Sequence, residues 1–70
     1  MKMTPVTSTN LASVGYDSAT RILCIKFRSG DVYEYYDVPE AEYQGLMAAS
    51  SKGSYHHQNI KNHYSYKKIG

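Results

Sequence analysis

The stretch from Arg21 to Val38 limits what this chain can fold into more than any other. It reads Arg-Ile-Leu-Cys-Ile-Lys-Phe-Arg, then Ser-Gly-Asp, then Val-Tyr-Glu-Tyr-Tyr-Asp-Val. Two runs rich in β-branched and aromatic residues on either side of a Ser-Gly turn signal form the pattern of a β-hairpin. A two-residue loop at Ser29-Gly30 would set Phe27 opposite Val32 and put Glu34 on the face of Leu23, Ile25 and Phe27. A three-residue loop, Arg28-Ser29-Gly30, gives Gly30 the positive φ of a G1 bulge and pairs Ile25 with Tyr33 and Leu23 with Tyr35. The second register is preferred, because it keeps the Glu34 carboxylate off the main apolar face, where an unpaired charge is costly to bury. One face then carries Leu23, Ile25, Phe27, Tyr33 and Tyr35, and the other Ile22, Cys24, Lys26, Val32, Glu34 and Tyr36.

The flanking segments read as additions to this hairpin. Residues 1–9 are polar and hydroxyl-rich around Pro5, which predicts a flexible amino-terminal segment ahead of a single domain over 10–70. Ala12, Val14 and Tyr16 alternate with Ser13 and Gly15, the period of a half-buried strand, and Gly15 suggests a bulge or close packing. Asp17 to Thr20 is a turn in which the Asp17 carboxylate can accept from backbone N–H groups. After Val38, Pro39 suits the first position of a helix, and Glu40 and Glu42 suit its first turn. That helix should run to about Ala49 with Tyr43, Leu46, Met47 and Ser50 on one side, and with Gly45 close to a strand. Ser50 and Ser51 can cap a second helix anchored by Tyr55 and Ile60, with His56, His57, Gln58 and Lys61 pointing elsewhere and a short basic tail from Tyr64 to Gly70. The expected fold is α+β: a three-stranded antiparallel β-meander followed by two α-helices packed on one sheet face. Its core should comprise Tyr16, Leu23, Ile25, Phe27, Tyr33, Tyr35, Val38, Tyr43, Leu46, Met47, Tyr55 and Ile60.

Charge separates the two ends of the chain. Residues 1–50 carry four basic and six acidic side chains, whereas residues 51–70 carry Lys52, Lys61, Lys67 and Lys68 with no acidic residue. A basic surface is therefore expected at the carboxyl end. The single cysteine, Cys24, excludes an intramolecular disulfide framework and leaves no thiol partner for a zinc cluster. No apolar run suits a signal peptide or a bilayer span, so the expected location is cytoplasmic, with no membrane partner.

Chemistry-bearing patterns are few. Eight tyrosines without a tryptophan can be read as a thin core with wet hydroxyl rims, or as rings for stacking on unpaired bases, with Tyr36 and Tyr66 the better placed. The run from Lys52 to Lys68 interleaves Lys, His and Tyr with Asn and Gln, a mixture suited to phosphate contacts plus base stacking. On a helix His56 and His63 would be two turns apart, about 10 Å of rise, too far to share one ion. Neither a metal nor another cofactor is expected. No Gly-rich phosphate loop and no Ser or Cys bracketed by a base is present, which argues against an enzyme.

The succession Gly15-Tyr16-Asp17, Leu23-Cys24-Ile25-Lys26-Phe27, Gly30, Tyr33-Glu34-Tyr35, Val38-Pro39, Ser51-Lys52-Gly53-Ser54-Tyr55, Ile60 and Tyr64-Ser65-Tyr66 closely resembles the KTSC domain. This is a small bacterial domain named for its place at the carboxyl end of some lysyl-tRNA synthetases, and it also occurs free-standing. The resemblance spans about Ser8 to Ile69, with Tyr33 and Tyr35 matching the family's Tyr-x-Tyr. It implies RNA or a ribonucleoprotein as partner and supplies no catalytic residue. The expected function is a non-enzymatic binding module contacting RNA through Lys52, His56, His57, Lys61, Tyr66, Lys67 and Lys68. The alternative is a protein-interaction module or weak homodimer using the second sheet face or an edge, through Ile22, Cys24, Val32 and Tyr36. If Tyr33 and Tyr35 face the core, the Tyr-x-Tyr is structural and cannot itself stack on bases.

Overall fold

Every strand of the protein pairs with its neighbour in strand order, and the two helical segments lie in the connection between the last two strands. The computed structural model describes residues 1–70. Strands β1 (Thr4–Pro5), β2 (Leu11–Asp17), β3 (Ile22–Phe27) and β4 (Val32–Tyr35) are followed by helix α1 (Glu40–Ala48) and the short helix α2 (Lys52–Tyr55). A π-helical turn over His56–Ile60 continues α2, and β5 (Tyr66–Lys68) ends the chain's regular structure. The sheet is antiparallel, in the order β1-β2-β3-β4-β5.

The three-stranded expectation is therefore corrected to five, and both additions are edge strands held by backbone bonds. In β1 only Thr4 and Pro5 pair, with Val14 and Ser13. Proline is tolerated there because an edge strand need not donate on its outer side. β5, expected as part of a basic tail, pairs Tyr66 with Tyr35, Lys67 with Glu34 and Lys68 with Tyr33. All three of its residues are exposed, so it carries no apolar alternation for a sequence reading to find. Its lysines also suit a free edge, since charge there discourages pairing with another chain.

The hairpin takes the three-residue loop. Leu23 faces Tyr35, Ile25 faces Tyr33, and Cys24 faces Glu34. Gly30 has φ +100°, and the Phe27 N–H donates to the Asp31 carbonyl at 2.8 Å across the loop. At the previous turn Asp17 Oδ1 accepts from the Ala19 N–H at 3.0 Å, which holds the Asp17 carboxyl below its ordinary value. Gly15 marks close packing rather than a bulge: a Cβ there would lie 2.9 Å from the Lys2 carbonyl oxygen and 2.7 Å from the Met3 sulfur. The bulge lies earlier, between Leu11 and Ser13, and brings Leu11 and Val14 onto the same inner face although they are three residues apart.

Leu11, Val14, Leu23, Ile25, Tyr35, Val38, Leu46 and Ile60 form the buried core, with Tyr16, Phe27, Tyr33, Tyr43, Met47 and Tyr55 packed against it. The expected core residues are all in one group or the other; Leu11, Val14, Val6 and Tyr64 are additions. Tyr43 of α1 stacks on Tyr16 at 4.9 Å, and the Tyr16 hydroxyl donates to the Val38 carbonyl. Pro39 stands one residue ahead of its expected place, as the residue preceding α1. Ser51 caps α2 as expected, its Oγ accepting from the Ser54 N–H at 3.3 Å.

The two helical segments are tied by one carboxylate. Glu42 accepts from the Tyr55 hydroxyl and, at 2.9 Å, from the Tyr64 hydroxyl. The bond to Glu42, with burial, pushes the Tyr55 phenol up to about 12. Tyr55 lies over Gly45, whose close neighbour is thus this ring and not a strand: a Cβ at Gly45 would sit 2.9 Å from Tyr55 Cζ. Helix propensity alone favours alanine over glycine by ~1 kcal/mol. Tyr55 cannot swing aside without releasing Glu42, so Gly45→Ala is expected to destabilise the fold by about 1 kcal/mol or more. Urea denaturation measures the sign directly, and a stabilised variant would show that the Tyr55 ring is not held there.

Candidate functional site

Coverage of the inner sheet face is incomplete. A helix of nine residues is about 14 Å long, whereas a sheet of five strands is about 19 Å across between its outer strands. The short α2 and the π turn close only part of the difference, and an open cleft of about 580 Å³ remains between the sheet and the helical segment. Phe27, Tyr33, Tyr35 and Tyr66 line it from the sheet, and His56, His57 and Lys61 from the helical side.

Its floor is a pair of buried polar rings. The Tyr35 hydroxyl lies 2.8 Å from His56 Nε2, and the two residues are 4% and 9% exposed. Burial, with the nearby Tyr33 and Tyr66 phenols, pushes Tyr35 up to about 12. Burial, with repulsion from Lys61 and His57, lowers His56 to about 4. Near neutral pH the phenol therefore keeps its proton and the imidazole is neutral, so the two rings share one hydrogen bond without a buried charge. Phe27 meets the His56 ring edge-on at 5.1 Å, so the ring is gripped by packing as well as by its hydrogen bond.

The walls are more open. Tyr33 lies 5.8 Å from Phe27 and 5.7 Å from Tyr66, and Tyr66 is 57% exposed. Arg28, in the β3–β4 loop, is fixed by an Nε–H donated to the Ser8 carbonyl at 2.6 Å, and Lys61 stands where the π turn ends. The Lys61 N–H donates to the His56 carbonyl at 2.8 Å, a five-residue step that positions Lys61 beside the cleft. Lys68 is drawn to Asp31 at 3.4 Å, leaving Arg28 and Lys61 as the cationic lining.

The seven residues expected to bind RNA do not share one surface. His56, His57, Lys61 and Tyr66 meet in the cleft, but His56 is buried in its floor and does not point away from the core. Its partner, Tyr35, lies 21 residues distant in sequence, so its burial left no local mark. Lys67 pairs opposite Glu34 and so lies on the other sheet face. Lys52 donates to the Ala49 carbonyl at 3.2 Å and borders a separate polar depression with Ser8 and Ser51. Conversely Phe27, Arg28, Tyr33 and Tyr35 belong to the cleft and were not expected there. The hairpin register puts the rings of Phe27, Tyr33 and Tyr35 on one face, and the two short helical segments leave part of that face open. Tyr33 is therefore both packed against the core and open to the cleft.

The KTSC domain model matches residues 7–64 of this sequence, most of the chain and all of the hairpin. The chain belongs to the KTSC domain family. It is 40% identical over 70 residues to an uncharacterised protein of Stutzerimonas stutzeri, covering 99% of each. It is also 43% identical over 54 residues to a lysine-tRNA ligase of Trichormus variabilis, covering 77% of this chain and 10% of the ligase. The crystal structure of a KTSC domain protein from Yersinia pestis superposes with a TM-score of 0.96 at 40% identity, covering 99% of this chain and 97% of that one. In this KTSC domain no helix is long and apolar enough to cross a membrane.

Proposed function

We propose that this KTSC domain is a non-catalytic module that binds single-stranded RNA through the aromatic cleft. The observation that carries the reading is the combination of open tyrosine rings with two cationic side chains from separate elements, Arg28 and Lys61, around one concavity. Aromatic faces stack on unpaired bases whatever their sequence, and cations meet the backbone between them. The presence of a similar segment within lysine-tRNA ligases is consistent with an RNA partner. Binding rather than catalysis is supported by the floor: a phenol pushed up to about 12 is a poor nucleophile at neutral pH, and an imidazole lowered to about 4 is a weak base.

The second sheet face offers less to a protein partner. Cys24 is buried, and Gly15 beside it lies under the amino-terminal residues. Titration of the labelled domain with single-stranded RNA at low salt should shift the amides of Tyr33, Tyr66 and Lys61. The double variant Arg28→Ala, Lys61→Ala should weaken binding about tenfold. Unmoved cleft resonances, with RNA in excess, would end the proposal.

A further inference from the structure

We infer that the cleft holds a single unpaired nucleotide and does not track a strand, an inference that rests on the RNA reading above. Three features of the cleft point the same way.

The first is the supply of ring surface. Tyr35 and His56 are buried and satisfy each other, so they offer a floor rather than a stacking step. Tyr66 is the strongly exposed ring, with Tyr33 and Phe27 only half-buried beside it. That is room for one base laid against Tyr66, whereas strand-tracking folds present successive rings along a groove and occupy ~4 to 16 nucleotides.

The second is closure. The β3–β4 loop bounds the cleft at Arg28 and Asp31, and Lys61 and Asn62 bound it where the π turn ends. On a third side Asn10, just ahead of β2, meets α2 directly: a Cβ on Gly53 would lie 2.8 Å from Asn10 Nδ2. A volume of about 580 Å³ bounded this way belongs with small-ligand sites, which run about 300 to 1,000 Å³.

The third is charge. Lys68 is engaged by Asp31, Lys67 lies on the other sheet face, and Lys52 caps α1. Arg28 and Lys61 remain, a number that matches the two phosphates flanking one nucleotide. Asn10 and Asn62, also in the lining, supply amide groups for a base edge.

The test compares adenosine 5′-monophosphate, a trinucleotide and a nonanucleotide of the same sequence, followed by NMR at several salt concentrations. The trinucleotide and the nonanucleotide should bind within about threefold of each other per register, and the slope of log K against log salt should lie near −1.4, that is ~0.7 per phosphate for two phosphates. Tyr66→Ala should lose about tenfold or more while Tyr66→Phe keeps most of the affinity, and Lys61→Ala should halve the slope. Affinity rising more than tenfold per register with length, a slope steeper than about −3, or shifts spreading to Lys52 and Lys67 would overturn the single-nucleotide site and leave RNA binding standing. Binding of duplex as tight as single strand would overturn it too. Failure of every RNA to bind would remove the functional reading itself, and this inference with it.

Discussion

Replacing Leu11 with alanine is expected to cost the fold about 3 kcal/mol, within the range of roughly 2 to 5 for a leucine deleted from a packed interior. Leu11 is fully buried at the start of β2, opposite Phe27, where the bulge turns it inward beside Val14. A 70-residue domain has a total stability of roughly 4 to 10 kcal/mol, so the loss is a large share of the whole. For a domain of this size each kcal/mol moves the melting temperature by about 4 to 8 °C, and the midpoint should fall by on the order of 15 °C. Urea denaturation should show a lower midpoint at an unchanged slope, which separates lost stability from altered compactness. Ser13→Ala, across the bulge on the other face, is the control and should change little. A loss below about 1 kcal/mol for Leu11→Ala would show that the bulge does not deliver this side chain to the core.

Leu11 also shows where the sequence stops being informative. A strand read at period two from Val14 and Tyr16 places Ala12 inside, and only the bulge between Leu11 and Ser13 exchanges Ala12 for Leu11. The hairpin was legible because its register follows from one local demand, the positive φ of Gly30, and because a slip of one residue would have put Glu34 among the apolar side chains. Helix α1 was legible for similar reasons, with Glu40 and Glu42 in its first turn and Leu46 on its buried side. β1 and β5 were not, because backbone groups make their pairings while their side chains stay exposed. The cleft falls between these cases. Its rings could be assigned to a face from the register, but their exposure depends on how far two short helices reach, which is a property of assembled lengths and not of any local pattern.

Acid should destabilise the domain through His56. In the folded chain its imidazole is lowered to about 4, first by burial and then by Lys61 and His57, while an unfolded histidine titrates near ~6.5. Between these values the unfolded chain binds the extra proton, so stability is at its full value above about 6.5 and falls as pH drops toward about 4. Because the ring borders an open cleft, the loss should be about 2 to 3 kcal/mol, short of the full shift. Asp17, held below its ordinary value by the Ala19 N–H, adds a further acid loss at lower pH, beyond the window where His56 acts. Urea melts at pH 7.5, 5.5 and 4.5 should show the decline, and His56→Gln should flatten it while lowering stability at neutral pH. Equal declines in both proteins would place the acid sensitivity elsewhere. The same proton should act on the cleft, because it puts a charge into the buried Tyr35–His56 pair, and those two rings are the floor against which Tyr33 and Tyr66 stand. RNA affinity and stability should therefore decline together over this window, and affinity that persisted after the stability loss would show that the floor does not support the site.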